Sequence, residues 1–565
     1  MHGGRIGYFV RDEGVVVEPA GPGPGAGANS AAPVKVSPLT FGRMLGQTRA
    51  LSPAAGKDLF DKLLALGRCM NDPQTCGQQP ASKESDDSDI PAGYTYLGQF
   101  IAHEITFDDS GDTLQVGMEP KNLRTPQIDL DSLYGGTNGP PDRPELYETD
   151  RVRLRVGETF PVMPPSNPPN FLPFVRHDLP RDAHNKKNPK LALLGDTRND
   201  ENLAVAQTHV AFINFHNAVV DYLKGKGHES GDDLFQCARR QVVRHFQWII
   251  IHDYLRKLVD NDVLDCVLRH GQRWFKADDR GGLYMPLEFS AAAFRIGHSM
   301  VRPGYSWNYL HPRVPVSQLF ELTGGFMPEV GFSTSSTVDE GDSLLTLPSD
   351  WVIDWTRFYD FKGLLPDAAL PPEHGAGEAP SRDRLNKSSK LDTLLNFSLA
   401  GGPGLPDTRL EQMQKAITVR NLLRGFYLGL PTGEEAAEWM GETPLKPEEV
   451  AGGPHKAVLS DPALRGRTPL WYYVLKEAEL LGIGSDGKGG HRLGPVGSRI
   501  VAETLIGLIR KSPHSILDDP EWRPKFGRPV KGPERVKFEM PDLLKFAFGG
   551  DASGEKSVNP LGQRP

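Results

Sequence analysis

The chain has 565 residues, a net charge of −8 and four cysteines. That balance offers no basic footprint for nucleic acid, and so few cysteines do not form a disulfide framework. The 61 glycines and 49 prolines exceed the usual combined share of about 12 % and predict long, ordered loops between helices. Residues Met1–Arg5 precede no apolar core of signal-peptide length, and no run reaches the ~18 apolar residues of a membrane span. The expectation is a soluble protein with no signal peptide visible and no transmembrane segment. It is either cytoplasmic or secreted by a route without an N-terminal signal.

In chain order, residues 1–37 form a Gly/Pro-rich lead-in containing Gly21-Pro-Gly-Pro-Gly-Ala-Gly27. Asp58–Met70 predicts an amphipathic helix capped by Asp58. Cys69 and Cys76 are near enough to close a short loop, a pairing that spacing alone leaves open. Tyr94–Asp109 follows a turn-type cluster at Pro91-Ala92-Gly93 and is mostly apolar, yet it holds Gln99, His103 and Glu104. At 3.6 residues per turn Gln99 and His103 share a face, which suggests a small polar site in an apolar wall. Thr125, Asp129 and Asp131 make an oxygen-rich loop of the kind hard cations favour, although a solvated acidic turn has the same composition.

Gly195-Asp-Thr-Arg198-Asn-Asp-Glu201 opens a long helical pattern through Val220, and a second helix is expected from Asp233 to Leu258. His209/His216 and His245/His252 are seven apart, too far for two ligands of one metal, and read as packing or surface histidines. Around His298, Ala291-Ala292-Ala293 and Gly297 make a flat helix surface that a broad, planar group can approach. Arg295 lies one turn earlier, on the side where it can meet an anion. Further helices are expected at Trp351–Phe361, Leu410–Gly425, Pro469–Leu481 and Pro495–Lys511, and Asp551–Pro565 reads as a loose tail. Gly482–Lys488 fits G-x-x-x-x-G-K, but Gly489 replaces the Ser/Thr and a helix precedes it, so no phosphate loop is expected.

Four motifs in order, Gly98-Gln99-Phe-Ile-Ala-His103, Asp129-Leu-Asp131-Ser-Leu-Tyr-Gly135, Gly195-Asp-Thr-Arg198-Asn-Asp-Glu201 and Ala293-Phe-Arg295-Ile-Gly-His298, resemble the animal-type haem peroxidases of the peroxidase–cyclooxygenase superfamily. Val419-Arg420-Asn421-Leu-Leu-Arg424 adds a fifth stretch, and the likeness looks closest to bacterial members. The resemblance implies a mainly α fold: one large haem peroxidase domain over 38–550, with long ordered loops, little β structure and a tail at 551–565.

By the same resemblance, His298 ligates the iron of haem b and its second ring nitrogen donates to Asn421. Arg295 and Arg424 meet the haem propionates. On the opposite face His103 moves the peroxide proton, Arg198 stabilises charge developing as the O–O bond breaks, and Gln99 holds water or peroxide. Hydrogen peroxide and a small electron donor, phenolic or halide, are the implied partners, and nucleic acid is not among them. Family members often carry an Asp before the distal His. Ala102 replaces it here, leaving Glu201 for at most one ester link, while Asn202 stands where one branch has a Met for a further link. A calcium ion is implied at Glu104, Thr125, the Gln127 carbonyl, Asp129 and Asp131.

Three rival readings stand beside this resemblance. A haem fatty-acid oxygenase of the same superfamily would use a radical Tyr three residues before the proximal His, where this chain has Arg295. A haem-free structural or adhesive module gives no purpose to His103, Arg198 and His298 together. A non-haem metal enzyme lacks a tight ligand cluster such as H-E-x-x-H.

Overall fold

Among the described residues, the long apolar-striped segments fold as ten longer helices. These are α1 (Lys57–Asn71), α2 (Gly93–Ile105), α3 (Leu203–Gly225), α4 (Asp232–Ile249), α5 (Asn261–His270), α6 (Ile417–Tyr427), α7 (Gly433–Met440), α8 (Leu470–Leu481), α9 (Pro495–Lys511) and α10 (Met540–Phe548). The structure, a computed structural model, describes residues 41–45, 51, 57–78, 87–107, 122–136, 139–162, 176–182, 184–185, 190–228, 231–276, 282–323, 346–371, 385–396, 416–531, 535–549 and 557–562. Among these, strands occur as short two-stranded pairs, such as Asp87–Pro91 antiparallel to Lys387–Ser389. The chain is mainly α-helical, as its patterning implies. No helix among the described residues is long and apolar enough to cross a membrane.

One hydrophobic cluster runs from Met44 to Val558. At its centre lies α2, whose Leu97, Phe100, Ile101 and Ile105 follow helical spacing and are wholly buried. Phe100 stacks on Phe212 of α3 at 4.8 Å and meets Phe246 of α4 edge-on at 5.9 Å. These contacts fix the rotation of α2 and therefore the direction in which Gln99 and His103 project. The expected second long helix is α4 continued by a π-helical turn, Ile250–Tyr254, and a last turn, Leu255–Leu258. A second π turn, Phe289–Ala293, precedes the short helix Gly297–Met300 where one continuous helix was expected. Such turns place one extra residue in the coil and shift the side chains that follow.

Other expectations need correction. Asp58 lies in the first turn of α1 and is not its cap, because the helix already begins at Lys57. Trp351–Phe361 is not a helix but 3₁₀ turns at Ser349–Trp351 and Trp355–Arg357. Its backbone donors bond outward: Asp354 N–H to the Trp307 carbonyl at 3.2 Å, and Trp355 N–H to the Val558 carbonyl at 2.9 Å. That second bond also corrects the loose tail, since Ser557, Val558, Asn559 and Leu561 are buried. Residues 1–40, 551–556, 563–565 and the start of the helix expected at Leu410 lie outside the described residues. Cys69, near the end of α1, is joined by a disulfide to Cys76 in the 3₁₀ turn that follows.

The N-terminus of α2 is set by close packing. Gly93 N–H donates to the Phe358 carbonyl at 2.9 Å, and the Tyr359 hydroxyl donates to the Gly93 carbonyl at 2.9 Å. A Cβ at Gly93 would run into the Tyr359 ring and lie 2.7 Å from the Phe358 oxygen. Gly93→Ala is therefore expected to cost about 1–3 kcal/mol of stability by overpacking, read by urea unfolding.

Candidate active site

A slot opens between one face of α2 and the segment Phe289–Val301. Thr95, Tyr96, Gly98, Gln99, Ala102, His103 and Thr106 line one wall, and Phe294, Arg295, Gly297, His298 and Met300 line the other. Tyr254 and Phe289, both in π turns, and Arg424 from α6 complete it. The imidazoles expected to face one another thus share one cavity. Small residues keep the walls open: a Cβ at Gly297 would meet nothing within 4 Å, whereas one at Gly98 would lie 2.5 Å from the Tyr254 hydroxyl.

The protonation of His103 is determined by its neighbours. Its Nδ1–H donates to Asn199 Oδ1 at 2.9 Å, and the Asn199 amide nitrogen donates to His209 Nδ1 at 3.1 Å. An amide oxygen only accepts, so the His103 proton sits on Nδ1 and a lone pair is left on Nε2. Burial, helped by the Arg198 charge, pushes the imidazole down to about 3, so the ring is neutral near pH 7. Burial also pushes His209 down to about 3. The packing role expected for His209 holds, but it packs as the last member of a relay that orients His103.

Gln99 is held from both ends. Its carbonyl oxygen accepts from Asn202 Nδ2 at 2.9 Å, and its Nε2 donates to Glu201 Oε2 at 3.3 Å. Asn202 also caps α3, accepting from Val205 N–H at 3.0 Å through its side-chain oxygen. Glu201 is buried behind the lining residues, with Oε2 3.8 Å from His103 Nε2.

Arg198 is placed differently from the expectation. Its guanidinium grips both oxygens of Asp196, Nε to Oδ1 at 2.9 Å and NH2 to Oδ2 at 2.7 Å. It also donates to the His103 carbonyl at 2.9 Å, and it is not among the slot-lining residues. Asp196 is the side-chain cap of the 3₁₀ turn Thr197–Asp200, accepting Arg198 N–H at 3.0 Å. Burial opposes its charge, but Arg198 holds the Asp196 carboxyl well below the usual range. Arg198 therefore braces the backbone of the distal histidine from behind.

On the opposite wall α6 brings Asn421 to His298. Arg295 NH1 donates to Asn421 Oδ1 at 2.8 Å, and Asn421 Nδ2 lies 3.0 Å from His298 Nδ1, so the amide joins the two side chains. Arg295 Nε also donates to the Ser290 carbonyl at 2.9 Å, tying the π turn to the histidine.

Away from the slot, Glu104, Asp129 and Asp131 converge, each offering an oxygen within 4.8 Å of the others. Thr125 joins them by donating to Asp131 Oδ2 at 3.1 Å, while the Gln127 side chain turns to the Lys511 carbonyl. Burial and the neighbouring Asp131 and Asp129 push Glu104 up to about 8, and burial pushes Asp131 up to about 6.

Sequence reasoning missed Asn199 and the second role of Asn202. Asn199 stands inside the quoted Arg198 motif and Asn202 directly follows it, and Asn at a helix entrance was the available signal.

The helical scaffold thus carries a histidine on each wall of one largely apolar slot. Residues 69–329 match the animal haem peroxidase family. It is 30 % identical over 227 residues to Probable oxidoreductase PXDNL of Homo sapiens, covering 40 % of this chain and 14 % of that protein. Dual oxidase 1 of Caenorhabditis elegans is 31 % identical over 196 residues, covering 34 % and 12 %. The matched region is thus a small part of these relatives' length. Among solved structures, Peroxidase A from Dictyostelium discoideum aligns with a TM-score of 0.49 at 16 % identity, covering 85 % of this chain and 90 % of that one. A fatty acid alpha-dioxygenase from Arabidopsis thaliana aligns at 0.48 and 13 %, covering 82 % and 71 %.

The Asn199 relay is tested by Asn199→Leu, which leaves His103 Nδ1–H and His209 Nδ1 unpaired in the interior. The expected loss is about 1–3 kcal/mol for each unpaired group, measured by chemical unfolding.

Proposed function

We propose that this chain is a haem-dependent peroxidase that takes hydrogen peroxide as acceptor and oxidises a small donor, phenolic or halide in class. The observation that carries this reading is the pair of imidazoles across one slot, the distal one locked as a neutral base. The residues suit haem b: flat walls for the ring, His298 for the iron, and Arg295 and Arg424 beside the slot for its carboxylates. When bound, haem supplies the redox chemistry that splits the O–O bond.

The chain's own residues handle the proton. His103 Nε2 takes it from peroxide and returns it to the departing oxygen, while the Asn199–His209 relay keeps Nε2 the basic atom. Gln99, clamped by Asn202 and Glu201, presents its amide to a small polar molecule on the distal wall. Arg198 is a positioning residue, acting through the His103 carbonyl and not on the oxygen atoms. Ala102 lines the slot where a carboxylate would form an ester, so Glu201 is the side chain left for a single link. The Cys69–Cys76 disulfide favours an oxidising compartment over the cytoplasm.

Three outcomes test this reading. His298→Ala is expected to abolish the haem absorption band after reconstitution. His103→Ala is expected to keep the band and slow the reaction with peroxide by about 100- to 10,000-fold, followed by stopped-flow absorbance. Because burial holds His103 near 3, the wild-type rate should stay level from neutral pH down to about 4 and fall only on approach to 3, as the base is protonated. A loss of rate centred near pH 6.5 would remove His103 from the role of base.

A further inference from the structure

The loop Thr125–Asp131 and Glu104 carry the family-implied calcium site, and their carboxylates do converge. Calcium takes about six to eight oxygen ligands, so the test is how many oxygens are uncommitted. Glu104 Oε1 accepts the backbone N–H groups of Asp129 at 3.3 Å and Asp131 at 3.1 Å, and Oε2 accepts that of Ser132 at 3.1 Å. The loop's amides point inward at the Glu104 carboxyl oxygens, the reverse of the polarity that a cation requires. The extra methylene of Glu, where the family usually has Asp, gives the carboxylate the reach to enter this nest.

Asp131 is equally engaged. Oδ1 accepts from Arg124 NH2 and Oδ2 from Thr125. The same guanidinium lies 4.0 Å from Glu104 Oε2 and 3.7 Å from Asp196 Oδ2, and its Nε donates to the Glu104 carbonyl at 3.5 Å. Arg239 approaches Asp129 Oδ2 at 3.7 Å from the other side. The buried side-chain oxygens left without a hydrogen-bond partner in this cluster are Asp129 Oδ1 and Ser132 Oγ. Two such donors suit a water molecule and fall well short of a calcium shell.

The residues present do not fit calcium. We propose that the Arg124 guanidinium takes the place of the ion, so that an internal cation, not a metal, ties the distal helix α2 to the Thr125–Asp131 loop. Through Glu104, next to His103, and Asp196, which grips Arg198, this cation reaches both supports of the distal histidine. The chain then keeps its distal wall ordered in the absence of calcium.

The experiment uses the full chain loaded with haem and dialysed into metal-free buffer. Calcium content is measured by plasma mass spectrometry, and Tm by calorimetry in millimolar CaCl2 and in EGTA. The expected result is far less than one calcium per chain and the same Tm in both buffers. One retained calcium per chain, with a Tm that falls in EGTA, would overturn the proposal. Arg124→Ala is expected to lower Tm and Arg124→Lys to recover part of the loss, and an unchanged Tm in Arg124→Ala would also overturn it. Should Arg124→Ala not fold, the wild-type calcium content and Tm decide alone. The haem band, recorded on the same samples, reports separately on the peroxidase reading.

Discussion

The arrangement depends on keeping one buried imidazole uncharged and correctly tautomeric. An imidazole at the protein surface titrates near 6.5 and is partly charged at neutral pH. His103 escapes this because charging it would cost solvation in a site that also faces the Arg198 guanidinium. Neutrality alone does not make a base, since either ring nitrogen can hold the proton. The Asn199 oxygen decides which one does, and His209 orients that amide by accepting from its other end.

The same economy recurs on the facing wall. His298 is oriented by Asn421, and Asn421 by Arg295, whose second bond runs to the π turn Phe289–Ala293. Both π turns lie at the slot, one supplying Tyr254 and the other Phe289. An α-helix would repeat its side chains every 3.6 residues and close the wall with regular packing. The irregular turns displace that pattern where a flat space is needed.

Charge binds the distal wall to the rest of the molecule. Arg124, Arg198 and Arg239 face Glu104, Asp129, Asp131 and Asp196 in a buried cluster behind α2. Breaking such a cluster by removing one partner strands the others without solvent, so its members act as a unit. Its position ties the loop, the 3₁₀ turn and the distal helix together at the residue next to His103.

Much of this was legible without coordinates. Helical spacing marked α2 and placed Gln99 and His103 on one face, and the small residues around His298 marked a flat wall, because periodicity and side-chain size are local properties of a chain. The motifs holding Arg198 and Asn421 were equally visible. Their bonding was not. Arg198 turned from the slot to Asp196, Arg295 bonded to the Asn421 amide beside His298, and Glu104 reached into backbone amides that no spacing rule exposes. The tail at Val558 became buried because Trp355, 203 positions earlier in the chain, needed an acceptor for its N–H. Sequence determined which groups were available and which face each would take. Only the tertiary structure decided which partner each donor met, because that choice depends on elements far apart in the chain arriving within about 3 Å of one another.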